Sequence, residues 1–185
     1  TAFDLDTMHR RRGFNGTGYH YYIRKDGTTH LTRPVERIGA HAKGFNAESI
    51  GICYEGGLDC RGRPADTRTP EQRAALRLLV HQLQERFPGC RVCGHRDLSP
   101  DRNGNGEIEP EEWIKACPCF EVKEKVIGSN RSFGNDSLSN QSYKESERRC
   151  VELWQSRDPL GYHLKVVIAV ASAVLGIVGG NAMSL

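Results

Sequence analysis

A chain of 185 residues is long enough for one well-buried domain and a tail, and short for two full domains. Its 26 basic and 23 acidic residues nearly balance, leaving a net charge of +3 that argues against a dedicated nucleic-acid binder. Seven cysteines, an odd number, exclude a complete intramolecular disulfide framework and point to mostly reduced thiols in a cytoplasmic setting.

The chain opens at Thr1 on the approach to a helix, so a segment upstream of it is expected. Residues 4–12 pattern as a short helix closed by Gly13, with Arg10-Arg11-Arg12 as its solvated basic end. The runs 19–24 and 28–33 are β-rich and flank Lys25-Asp26-Gly27, a hairpin turn because glycine tolerates positive φ. Residues 50–54 read as a buried strand ended by Gly56-Gly57, and a polar loop follows over 59–68. The strongest helix signal covers 69–87. Thr69 caps it, Pro70 takes the first helical position, and Gln72 completes a capping box. Leu76, Leu79, Val80, Leu83 and Phe87 then form one apolar stripe, and Pro88-Gly89 stops it. A short strand over 91–93 delivers His95 to its end. This alternation predicts an α/β class, a mixed central β-sheet flanked by helices in a single domain over 1–127.

Beyond it, residues 128–163 are rich in Ser, Asn and charge and read as a polar linker. The apolar tail over 164–185 has no charge from Val166 onward. It barely reaches the roughly 20 residues that a spanning helix needs and is diluted by Gly176, Gly179, Gly180 and Asn181. A membrane helix through 166–185 and an unnatural, disordered or partner-bound tail are equal alternatives.

The region from Gly94 to Phe120 carries the densest chemistry. His95 and Cys117, the side-chain types zinc prefers, flank an acidic Asn/Gly loop. Within that loop Asp101, Asn103, Asn105, Glu107 and Glu112, with Gly106 at the sixth position, follow the oxygen spacing of a calcium loop; position seven contributes its carbonyl. Leu98-Ser99-Pro100 rules out a long entering helix, whereas residues 110–116 fit an exiting one. Cys90 and Cys93 with Cys117 and Cys119 offer a second arrangement, a structural zinc knuckle joined by His95. Oxidised Cys53–Cys60 or Cys90–Cys93 pairs stay open.

Five ordered motifs then carry a resemblance: Gly18-Tyr19-His20-Tyr21-Tyr22-Ile23-Arg24, Gly39-Ala40-His41-Ala42-Lys43-Gly44, Ser49-Ile50-Gly51-Ile52-Cys53-Tyr54-Glu55-Gly56-Gly57, Gly94-His95-Arg96-Asp97 and Lys115-Ala116-Cys117-Pro118. Together they resemble the type-2 N-acetylmuramoyl-L-alanine amidases, the family of phage lysozyme-like amidases related to the peptidoglycan-recognition proteins. The resemblance implies a mixed sheet with a zinc cleft that cuts the amide between the muramic lactyl group and L-alanine of peptidoglycan. It makes His95 and Cys117 metal ligands, places Tyr19 and Lys115 beside the metal as catalytic groups, and sets His41 along the substrate groove. His9, His20, His30 and His81 are left structural. The family's first ligand ends a strand ahead of the first helix, upstream of where this chain starts, so an exposed sheet edge is expected. A wall-binding module without competent zinc is the alternative. A monomer that is cytoplasmic until it meets the wall completes the expectation.

Overall fold

The computed structural model describes residues 2–122 and 167–173. The linker expected over 128–163 lies outside the described residues. Helix α1 (Ala2–Arg11) ends as the sequence predicts, with the Gly13 N–H on the Arg10 carbonyl at 2.9 Å and Gly13 at φ 83°. Asp6 ties α1 to the loop after it, pairing with Arg10 at 2.6 Å and accepting the Thr17 N–H at 2.9 Å. Strands β1 (Tyr21–Ile23) and β2 (Thr29–Leu31) form the hairpin, and Gly27 turns between them at φ 82°.

Strand β3 (Ser49–Glu55) lies parallel to β1. Helix α2 (Pro70–Arg86) starts on the full capping box: Thr69 Oγ1 accepts the Gln72 N–H at 3.1 Å, and Gln72 returns the bond to Thr69 N–H. The Gln72 side-chain amide also donates to the carbonyls of Ile23 and Glu55, so the cap rivets α2 to the ends of β1 and β3. Strand β4 (Arg91–Gly94) follows.

The last strand is the departure from expectation. Residues of the apolar C-terminal run form β5 (Val167–Ala173), which enters the sheet parallel to both β3 and β4 and gives the order β2-β1-β3-β5-β4. β5 lies inside the sheet, whose edge strands are β2 and β4. Part of the tail expected as a membrane helix or free end is instead an interior strand. Among the described residues no helix is long and apolar enough to cross a membrane. A continuous apolar run suits a strand buried on both faces as well as it suits a helix, and periodicity does not separate them.

Alternation along the strands gives the sheet two unlike faces. Toward α2 it presents Tyr21, Ile23, Ile50, Ile52, Tyr54, Val92, Ile168 and Val170, packed on Leu76, Leu79, Val80 and Leu83. Toward α1 it presents smaller residues, Gly51, Cys53, Cys93, Ala169 and Ala171, with Leu5 packed on Tyr22 and Cys53. The large face makes the core, and the small face leaves room for a site.

Burying each large apolar side chain of the first face contributes about 1.5–3 kcal/mol. Leu76→Ala is therefore expected to lower unfolding free energy by about 2–5 kcal/mol, and Thr69→Ala by about 1 kcal/mol, read as shifts of the urea midpoint at unchanged slope.

Candidate active site

The site forms over the small-residue face, where β4 and β5 end. His95 leaves β4 with its main-chain N–H on the Val170 carbonyl of β5 at 2.9 Å. Cys117 arrives on a turn whose Cys117–Pro118 peptide is cis, closed by the Cys119 N–H on the Ala116 carbonyl at 3.0 Å. Three contacts hold this turn. The Arg96 N–H donates to the Cys117 carbonyl at 2.9 Å, and Tyr54 Oη donates to the Pro118 carbonyl at 2.7 Å. Gly94 leaves space for Pro118: a Cβ there would stand 2.6 Å from Pro118 Cδ. The result brings His95 Nδ1 and Cys117 Sγ to 3.3 Å.

That spacing fits a shared metal ion. Ligand bonds of about 2.0–2.1 Å to nitrogen and about 2.3 Å to sulfur place two tetrahedral ligands about 3.5 Å apart. Burial, then the Lys115 charge, lowers the His95 pKa to about 4, so the ring is neutral with a lone pair to give. Burial pushes the Cys117 thiol up to about 11, and Lys115 opposes that shift. Lys115 thus favours the ligand form of both groups. Tyr19 lies close enough to Cys117 that, after burial and the Cys53 thiol, this sulfur also helps hold its phenol pKa well above the usual value. Tyr19 is consequently a permanent O–H donor near neutral pH. Among the described residues no group of three or more His, Cys, Asp and Glu converges as a metal site.

His41 is the buried floor of this cluster. Its ring stacks on Tyr19 at 5.6 Å between centroids, meets His20 edge-on at 5.7 Å, and lies between two glycines. A Cβ on Gly39 would come within 2.6 Å of it, and one on Gly51 within 2.5 Å. Asn46 Oδ1 fixes the loop by accepting the N–H groups of His41 and Ala42 at 2.9 and 2.8 Å. Two of the remaining histidines have clear structural roles. His9 Nδ1 accepts the Gly18 N–H at 2.8 Å; His20 Nδ1 accepts the Gly51 N–H at 3.0 Å while its Nε2 meets the Arg37 carbonyl at 2.9 Å.

The cysteine alternatives do not assemble. The six described cysteines, Cys53, Cys60, Cys90, Cys93, Cys117 and Cys119, are thiols rather than disulfides. In the acidic loop Asp101 accepts the N–H groups of Gly104 and Gly106, and Asn103 and Asn105 accept those of Asn105 and Glu107. Glu112 accepts from Arg102, Asn103 and Glu109, so the loop's oxygens are already turned onto its own backbone. The exiting helix expected over 110–116 is only a turn at Pro110–Glu112, because the Ile114 N–H goes to Ser99 Oγ at 3.0 Å. Sequence reasoning also missed the clamps that seat this region. Arg96 lies over the Trp113 ring at 4.2 Å and pairs with Asp97 and Glu121. Arg68 lies over Phe120 at 3.1 Å and pairs with Asp66 at 2.8 Å.

Comparison with known proteins agrees with the family that the motifs resemble, and four of the five motifs lie inside the family match. The N-acetylmuramoyl-L-alanine amidase family, Amidase_2, matches residues 2–111. An uncharacterized protein of Haemophilus influenzae is 47% identical over 97 residues, 52% of this chain and 84% of its own. The endolysin of Enterobacteria phage K11 is 35% identical over 123 residues, 66% of this chain and 72% of its own. The solved N-acetylmuramoyl-L-alanine amidase LysC from Clostridium intestinale URNW shares 35% identity, covering 60% of this chain and 71% of that one at a TM-score of 0.49.

Burial, followed by the charges of His20 and His95, lowers the His41 pKa to about 3 against an ordinary value of 6.5. Below pH 6.5 the unfolded chain therefore takes up a proton that the folded chain refuses. The contribution of His41 to stability is complete above that pH and falls by about 1.4 kcal/mol per unit as pH drops toward about 3. His41→Gln is expected to flatten this acid slope in urea titrations at about pH 7, 6, 5 and 4.

Proposed function

Since the chain belongs to the N-acetylmuramoyl-L-alanine amidase family, we propose that its cleft cuts the amide between the muramic lactyl group and L-alanine of peptidoglycan. The observation that carries this reading is the 3.3 Å approach of His95 Nδ1 to Cys117 Sγ, with Tyr19 near enough for that sulfur to act on its phenol. The group that fits this donor pair is zinc, which when bound supplies Lewis acidity and an activated water. The remaining work falls to the chain's own residues. His95 and Cys117 would hold the ion, Cys117 as its thiolate. Tyr19 donates its O–H toward the carbonyl oxygen as negative charge develops there, and the Lys115 ammonium stabilises the same charge. His41, neutral and wedged between glycines, keeps the Tyr19 ring in place.

A second reading is a peptidoglycan-binding module. It is favoured by the two convergent ligands among the described residues, because catalytic zinc usually has three from the protein plus water. Calcium in the loop of Asp101, Asn103, Asn105, Glu107 and Glu112 is a further proposal supported by oxygen spacing alone.

Digestion of purified peptidoglycan separates these readings. The amidase reading expects stem peptides with a free L-alanine amino group, none from His95→Ala or Cys117→Ala, and a kcat about 10²–10³ lower in Tyr19→Phe. Full hydrolysis by His95→Ala would overturn it, whereas wall pull-down without hydrolysis by the unmodified chain would favour the binding module. A calcium-bound loop expects a chelator to lower the thermal midpoint of the chain but not that of Asp101→Ala; equal midpoints with and without chelator would remove calcium from the reading.

A further inference from the structure

We propose that His9 is a positioning residue for Tyr19: from α1 it fixes the backbone on which Tyr19 enters the cleft and lies against the Tyr19 ring. This rests on the reading of Tyr19 as the donor to the substrate carbonyl. His9 is a buried residue of the last turn of α1. Its Nδ1 accepts the N–H of Gly18, the residue before Tyr19, at 2.8 Å. Its ring stands 5.9 Å from that of Tyr19, which also stacks on His41 at 5.6 Å. A single side chain thus touches both the ring and the approach backbone of the same tyrosine.

Gly18 is confined on its other side as well. The Ala40 N–H donates to the Gly18 carbonyl at 2.9 Å, and a Cβ on Gly18 would stand 2.3 Å from the Ala40 oxygen, so main chain packs on main chain. The next peptide is tied too. The Thr32 hydroxyl donates to the Tyr19 carbonyl at 2.9 Å, and the His20 N–H to the Gly51 carbonyl at 2.9 Å. Asp6, on the same face of α1 as His9, accepts the Thr17 N–H at 2.9 Å. Helix α1 therefore offers two side-chain acceptors to two consecutive N–H groups. A buried N–H robbed of its acceptor must move to find another or stay unpaired at a cost. Either outcome at Gly18 is passed to Tyr19.

Accepting through Nδ1 requires a neutral ring with its proton on Nε2. Burial first, and then the Arg12 charge, lowers the His9 pKa from its ordinary value of 6.5, against the opposing charge of Asp6. The neutral ring therefore prevails near neutral pH.

Two substitutions separate the acceptor from the ring. His9→Asn sets an oxygen as many bonds from Cβ as Nδ1 and drops the ring; His9→Phe keeps a ring and drops the acceptor. On purified peptidoglycan the full-length chain is expected to lose about 10–10²-fold in kcat in His9→Phe with little change in KM, and no more than about threefold in His9→Asn. In Tyr19→Phe, where the phenol is already gone, adding His9→Phe is expected to cost no further kcat. A larger loss in His9→Asn than in His9→Phe would reduce His9 to packing and overturn the proposal. An equal loss from His9→Phe with and without the Tyr19 phenol would overturn it as well. Undiminished kcat in Tyr19→Phe alone would instead discard the underlying reading of Tyr19.

Nitrogen-15 NMR of the imidazoles judges the contact with neither turnover nor a variant. At about pH 7 the unmodified chain is expected to show His9 neutral with its proton on Nε2. A proton on Nδ1 would overturn the proposal whatever the activity.

Discussion

The structure depends on filling the gap between β3 and β4. Both strands point main-chain N–H and C=O groups into the protein interior, where leaving them unpaired costs as much as a lost hydrogen bond at each. Residues 167–173 meet that need along two ladders at once, from Ser49↔Val167 to Glu55↔Ala173 on one side and from Arg91↔Val167 to Gly94↔Val170 on the other. They also complete both faces. Ile168 and Val170 extend the large-residue face under α2, while Ala169 and Ala171 keep the opposite face shallow. Without that strand the core would lose its middle, and His95 would lose the carbonyl that fixes its backbone.

The shallow face explains why chemistry is placed there. Small side chains at Gly51, Cys53, Ala169 and Ala171 leave the volume that His41, Tyr19 and His95 occupy. Packing rings against bare backbone desolvates them, which is why His41 and His95 are neutral and Tyr19 keeps its proton. The Lys115 charge adds to the effect of burial at His95 and opposes it at Cys117. The site is thus a set of neutral donors and acceptors with the Lys115 cation beside the His95–Cys117 pair, suited to negative charge that develops during amide cleavage.

Much of this is legible in the chain. The capping box at Thr69 and Gln72 is a local signal, written within one helical turn, and the structure reproduces it bond for bond. The hairpin at Gly27 and the stop at Gly13 are equally local. His95 and Cys117 are readable from motif order, and their convergence follows from β4 delivering one while a proline turn returns the other. The helix expected over 110–116 stops after one turn because helical propensity there competes with one remote acceptor, Ser99 Oγ, which captures the Ile114 N–H. Arg96 and Arg68 look like ordinary surface cations in the sequence. Their aromatic and carboxylate partners are brought to them by the fold, and no local pattern encodes the full sets.

By itself, then, the sequence determined α1, α2, the hairpin, the capping and the identities of the chemical groups, because each is decided by neighbours within a few residues. Tertiary structure alone decided where residues 167–173 of the uncharged C-terminal run go. Its composition suits a membrane helix, a free tail and a doubly buried parallel strand alike. The choice is made by unpaired backbone on β3 and β4, which exists only once the rest of the sheet has formed. The same placement brings the Val170 carbonyl to the His95 N–H at 2.9 Å. That contact has no signature in spacing, because it joins two segments only through the sheet between them.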